Sequence, residues 1–147
     1  MTSPSVIPGP ELQLLLACSR TSLNQDAAAR IRALAQQTLD WDAVLACAEG
    51  HDVRPLLLRS LVAACPELVP PAVLTSLKSW AQANGLRSLR LTRELARLLR
   101  SLESAGVQAL PFKGPLLAEM AYGDIALRYS VDLDILIPKQ SMERALG

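Results

Sequence analysis

The chain has 147 residues, half of them hydrophobic and a fifth charged, which is enough to bury a core and excludes a globally disordered protein. A net charge of +1 argues against a strongly basic nucleic-acid binder and against an acidic solvating tail, so nucleic acid is a partner that charge does not indicate. Aromatics make up 3%, leaving Leu and Ala to fill the core, and both are strong helix formers.

Met1 to Pro10 has no basic residue and no apolar stretch; it reads as a disordered lead, not a secretory signal. Glu11 to Ser19 follows as a helix with Leu12, Leu15 and Leu16 on one face. Asn24 is placed to cap a second helix, running to about Gln37 and burying Ile31, Leu34 and Ala35. Asp40 caps a third, with Trp41, Val44, Leu45 and Ala48 inward and Gly50 as its C-cap. Pro55 suits the first turn of a fourth, through Leu56, Leu57, Leu58 and Leu61. Cys18, Cys47 and Cys65 fall in these helices among apolar residues. With a single histidine and no Cys-x-x-Cys pair, they read as buried, reduced thiols of a cytoplasmic protein and not as zinc ligands. No apolar run reaches the roughly 18 residues that would span a membrane.

After Pro66 and the Pro70-Pro71 break, a long helix is predicted from about Ala72 to Ser104. Val73, Leu77, Trp80, Asn84, Leu91, Leu95, Leu98 and Leu102 share one face, and Gly85 weakens its middle. Arg87, Arg90, Arg93, Arg97 and Arg100 share the opposite side. They are either a solvated face, paired in part with Glu94 and Glu103, or a nucleic-acid stripe. His51, after a helix-ending glycine, reads as a cap or surface residue.

The pattern changes after Gly106. Val107 to Phe112 reads as a strand, Lys113-Gly114-Pro115 as a turn into a short helix, and Val131 to Ile137 as a second strand ended by Pro138. The expected fold class is therefore α+β: an N-terminal helical bundle followed by a partial strand–helix–strand unit. Its boundaries are a lead over 1–10, a helical region over 11–105 and an α/β segment over 106–147. Two strands alone make a marginal sheet, which predicts a fragment or partner strands from elsewhere.

Asp132 and Asp134 lie two apart in the second predicted strand, so their carboxylates project from one face while Val131, Leu133, Ile135 and Ile137 face a core. Paired carboxylates repel unless a cation lies between them, and oxygen ligands of this kind suit Mg²⁺ or Mn²⁺ with substrate phosphates. An isolated Asp-x-Asp also describes a solvated strand face. Lys113 and Gly114 stand at a strand-to-helix turn, where glycine admits a close phosphate and the helix start offers N–H donors; the plain alternative is a surface turn. Arg128 either binds phosphate, orients the acids, or forms a surface ion pair with Asp124 or Glu119.

Lys113-Gly114-Pro115-Leu116-Leu117-Ala118-Glu119, Tyr122-Gly123-Asp124, Leu127-Arg128 and Asp132-Leu133-Asp134-Ile135-Leu136-Ile137 together resemble the signature of a bacterial nucleotidyltransferase family of largely unassigned function, within the DNA polymerase β-like superfamily. The resemblance is strongest over residues 107 to 147, and the helical segment, including Leu39-Asp40-Trp41 and the long helix, also resembles the family's N-terminal region. It implies Mg²⁺-dependent transfer of a nucleoside monophosphate from an NTP to an unknown hydroxyl on a protein, an RNA or a small molecule. Asp132 and Asp134 would hold the metal; Lys113 and Gly114 would replace the superfamily's Gly-Ser turn, and Arg128 belongs to the family's own pattern. The superfamily's third carboxylate is not matched, since the only later acid is Glu143. The resemblance thus implies an incomplete active site and a truncated or excerpted chain. The alternative from another class is a non-catalytic helical interaction module, indifferent to both aspartates. An Asp-x-Asp glycosyltransferase ranks last, because a helical bundle precedes the acids where that class has a larger nucleotide-binding region.

Overall fold

A computed structural model describes residues 9–146. The lead expected over 1–10 lies outside them except for Gly9 and Pro10, and Pro10 already opens the first helix. The elements run α1 (Pro10–Cys18), α2 (Gln25–Ala35), α3 (Trp41–Gly50), α4 (Arg54–Ala64), a 3₁₀ turn (Pro66–Leu68), α5 (Pro71–Ser104), β1 (Leu110–Pro111), α6 (Gly114–Tyr122), a 3₁₀ turn (Ile125–Leu127), β2 (Ile135–Leu136), a 3₁₀ turn (Lys139–Ser141) and α7 (Met142–Leu146). The fold is mostly helical with one small antiparallel sheet, an α+β architecture. No described helix is long and apolar enough to cross a membrane.

The helix starts follow local chemistry. Asn24 Oδ1 accepts the Ala27 N–H at 2.9 Å, and Asp40 Oδ1 accepts those of Asp42 and Ala43 at 3.0 and 3.1 Å, relieving N–H groups that a first turn leaves unpaired. The end of α3 departs from expectation. Gly50 is its last helical residue, His51 is the exposed C-cap, and Asp52 takes the left-handed conformation at φ 56°. Asp52 N–H then bonds the Glu49 carbonyl and Val53 N–H that of Ala48, which is the double-bonded Schellman ending with aspartate where glycine is usual.

The chain divides into two compact units, residues 1–80 and 81–147, and the boundary falls inside α5. In the first unit α1 packs on α2, α3 and α4. Leu14, Ile31, Val44, Leu57, Leu61 and Leu77 are wholly buried and form one cluster with Cys18 and Cys65. Each such leucine contributes roughly 1.5–3 kcal/mol of transfer free energy. The face expected for α1 is displaced: Leu14, Leu15, Ala17 and Cys18 are buried, while Leu12 and Leu16 are exposed. Three neighbouring helices cover α1, and its short leucine run allows more than one inward stripe. Ser60 Oγ, fully buried in α4, donates to the Cys18 carbonyl at 3.0 Å, so this polar side chain in the core is satisfied.

All three cysteines are free; Cys18 and Cys65 are buried and Cys47 is half-buried. Cys65 caps α4 instead of lying within it. Burial pushes the Cys18 thiol up to about 12, helped by Cys65, and burial likewise raises Cys65. The proton is therefore held more tightly folded than unfolded. The Cys18 contribution is complete below the ordinary thiol value of 9.0 and is lost as pH rises from there through about 12. Thiolate is the reactive form, so an alkylating reagent at pH 8 is expected to modify Cys47 in the native protein and Cys18 and Cys65 only after unfolding. Mass spectrometry of the labelled peptides checks this; rapid native labelling of Cys18 would contradict the packing.

In the second unit, residues 81–104 of α5 accompany the strand–helix–strand segment. The helix continues through Gly85 without interruption. Leu110 pairs with Leu136 and Pro111 with Ile135 in antiparallel register. Both strands are far shorter than the sequence predicts, with two residues each in place of Val107–Phe112 and Val131–Ile137. The chain turns away at Lys113 into α6, so the ladder cannot extend far; Pro111 is tolerated because it lies at a non-hydrogen-bonded position, opposite Ile135 and next to the bonded Phe112–Asp134 pair. One further bond, Phe112 N–H to the Asp134 carbonyl at 2.9 Å, carries it as far as Asp134.

Candidate functional site

The two acids lie in the approach to β2, not within it. Asp132 sits in a bend and is exposed; Asp134 is half-buried and joined to β1 by the Phe112 bond. The expected alternation is corrected at Val131, which is 60% exposed instead of core, whereas Leu133, Ile135 and Ile137 are half-buried. Alternation needs a paired, pleated backbone, and here pairing begins only at Asp134.

Three of the sequence-selected residues come together around the turn into α6. Lys113 Nζ lies 3.4 Å from Asp134 Oδ2, and both side chains are about half exposed. Gly114, buried, has φ +63°, and a Cβ added there would lie 3.5 Å from the Asp132 carbonyl oxygen and 3.8 Å from Leu133 Cδ2. The turn thus lies directly against the acid-bearing segment. A Cβ would fit by contact distance, but an L-residue in the left-handed region costs about 1–2 kcal/mol. Gly114→Ala is expected to lose about that much. Gly85→Ala, in a helix interior with nothing within 4 Å of an added Cβ, is expected to gain about 0.5–1 kcal/mol. Urea unfolding of the two variants measures both, and equal shifts would contradict the left-handed turn.

Arg128 follows the 3₁₀ turn that Asp124 caps by accepting the Ala126 N–H at 2.8 Å. Asp124 is therefore engaged with the backbone, and no ion pair joins Arg128 to Asp124 or Glu119 among the described residues. The Arg128 Nε is buried without a hydrogen-bond partner. A buried guanidinium donor left open is costly and is suited to an incoming anionic acceptor.

The residue that holds this segment is Asn84, which was legible in the sequence only as a polar interruption of the α5 apolar stripe. It is buried, and its Nδ2 donates to the Ala126 carbonyl at 2.8 Å and to the Arg128 carbonyl at 3.4 Å. One turn later, the Arg87 guanidinium lies over the Tyr129 ring, 5.4 Å from its centroid. Its amide nitrogen thus finds the carbonyls flanking the site, while its Oδ1 is buried without a hydrogen-bond partner.

Glu143 lies exposed in α7 and does not join the aspartates; among the described residues no three His, Cys, Asp or Glu side chains come together as a metal cluster. Asp132 and Asp134 each present an accessible carboxylate two residues apart in one segment. That suits Mg²⁺, which takes one or two carboxylates and completes its shell with water and substrate phosphates. The arginine stripe is divided: Arg97 is bound to Glu94 at 2.6 and 3.0 Å, and this pair lowers the Glu94 carboxyl and raises Arg97, mainly through the hydrogen bond.

A family model described as an uncharacterised nucleotidyltransferase matches residues 37–147, a span that contains Lys113, Gly114, Arg128, Asp132 and Asp134. No curated protein and no solved structure matches the chain.

Proposed function

Since the chain belongs to this nucleotidyltransferase family, we propose that it takes part in Mg²⁺-dependent transfer of a nucleoside monophosphate from an NTP to a hydroxyl acceptor, in the manner of the DNA polymerase β-like superfamily. The observation that carries the proposal is the convergence of Lys113, Gly114 and Asp134 at one turn, with the Asp132 backbone packed on the glycine. Asp132 and Asp134 are the metal-binding carboxylates. Bound Mg²⁺, or Mn²⁺ in its place, supplies charge neutralisation of the triphosphate and a lower pKa for the attacking hydroxyl.

The chain's own residues bind and orient. Lys113, now resting on Asp134, is a mobile point charge within reach of a phosphate brought to the same carboxylate. Gly114 lets the turn take its left-handed conformation against the acid-bearing segment, and Arg128 offers its unpartnered Nε–H. In the reaction the acceptor oxygen bonds to the α-phosphorus, the bond from that phosphorus to the bridging oxygen breaks, pyrophosphate leaves, and the hydroxyl proton passes to solvent. A cytoplasmic location belongs to the same reading and is supported by the free thiols. Calorimetric titration with Mg²⁺-ATP and the other Mg²⁺-NTPs tests the proposal. Saturable binding that EDTA abolishes supports it, and no binding of any NTP overturns it.

A further inference from the structure

Resting on that reading, we propose that a cleft on α5 beside Val131 is the acceptor site, and that the acceptor is a small molecule carrying a phosphate or carboxylate next to an apolar body. The cleft, about 480 Å³, is lined by Ala83, Leu86, Arg87, Arg90, Leu91 and Val131. Its chemistry is divided in two. Arg87 and Arg90 supply permanent positive charge with forked N–H donors suited to oxyanions. Leu86 and Val131, each about 60% exposed, supply apolar surface that water covers poorly.

Neither arginine has an acidic partner among the described residues, in contrast to Arg97, which Glu94 closes off. Arg87 is steadied by the Tyr129 ring beneath it, so one guanidinium is already oriented. The volume falls in the range of roughly 300–1,000 Å³ typical of small-molecule sites. The net charge of +1 gives no support to a long polyanion. Proximity links the cleft to the chemistry: Val131 immediately precedes Asp132, so their Cα atoms are about 3.8 Å apart. A ligand seated against Val131 therefore lies next to the acid-bearing segment. Two other recesses, about 500 Å³ near the foot of α5 and about 310 Å³ along the β1–β2 edge, contain none of these residues and no cationic side chain.

The test is NMR of methyl- and nitrogen-labelled protein titrated separately with phenyl phosphate, benzoate and the neutral benzyl alcohol, with and without Mg²⁺-ATP. Phenyl phosphate, benzoate or both are expected to shift the Leu86 and Val131 methyl signals and the Arg90 side-chain signal saturably. Whichever of the two binds more tightly identifies the anionic group. Benzyl alcohol is expected to bind about tenfold more weakly, and Arg90→Gln to weaken the anion about fivefold with the backbone spectrum unchanged. Equal binding of the alcohol, shifts confined to other residues, or displacement of phenyl phosphate by Mg²⁺-ATP would each overturn the acceptor assignment. Mg²⁺-ATP binding without any anion response in the cleft sinks the cleft alone. An anion response with no Mg²⁺-NTP binding sinks the nucleotidyl-transfer reading, and the acceptor role with it.

Discussion

Asp132→Asn combined with Asp134→Asn is expected to weaken Mg²⁺-ATP binding about 100-fold while leaving the protein folded. Asparagine preserves size and shape but removes both negative charges. Two charge-assisted contacts worth about 1.5 kcal/mol each give about 3 kcal/mol, which corresponds to about two decades in affinity. The fold is insulated from the change because the only ion pair involved, Lys113–Asp134, is half exposed, and such pairs contribute about 0–1 kcal/mol after solvent screening. The Phe112–Asp134 bond uses the backbone carbonyl and survives the substitution. Calorimetry with circular dichroism on the same sample separates the two effects. Unchanged affinity in a folded double variant would remove the carboxylates from the site.

Leu57→Ala is expected to cost about 2–5 kcal/mol, the largest effect on stability of any single truncation considered. Leu57 is wholly buried in the cluster that α1, α2, α3, α4 and the start of α5 build in the first unit. Its removal takes away transfer free energy and leaves a cavity that surrounding helices can only partly close. For a unit of this size the shift in melting temperature is about 10 °C or more. Leu16→Ala, at an exposed position of α1, is expected to change stability by no more than about 0.5 kcal/mol. Thermal unfolding of both variants checks the contrast. If Leu16→Ala cost as much as Leu57→Ala, the inward face of α1 would be the one that leucine spacing suggests.

Much of the helical half was legible because its signals are local. Asn24 and Asp40 cap through bonds to residues two or three positions away, prolines sit in the first turns of α1, α4, α5 and α6, and the spacing of Ile31, Leu34 and Ala35 identifies a face without reference to partners. Of the candidate site, the residue types were legible: Lys113 forms an ion pair with Asp134, Gly114 lies against the Asp132 backbone, and all five selected residues fall within the matched family region.

What chain order could not decide was every property that depends on a second surface. The length of a strand depends on how far its partner can pair, and the turn at Lys113 into α6 ends that pairing at Asp134, so Asp132 lies in a bend and Val131 faces outward. The inward side of α1 depends on which helices cover it. The role of Asn84 depends on carbonyls 42 and 44 residues away, and the division of the arginine stripe depends on whether Glu94, Tyr129 or a cleft lies opposite each guanidinium. Local hydrogen bonds and side-chain periodicity are written along the sequence; pairing limits, burial and the partners of a polar side chain arise only when distant segments meet.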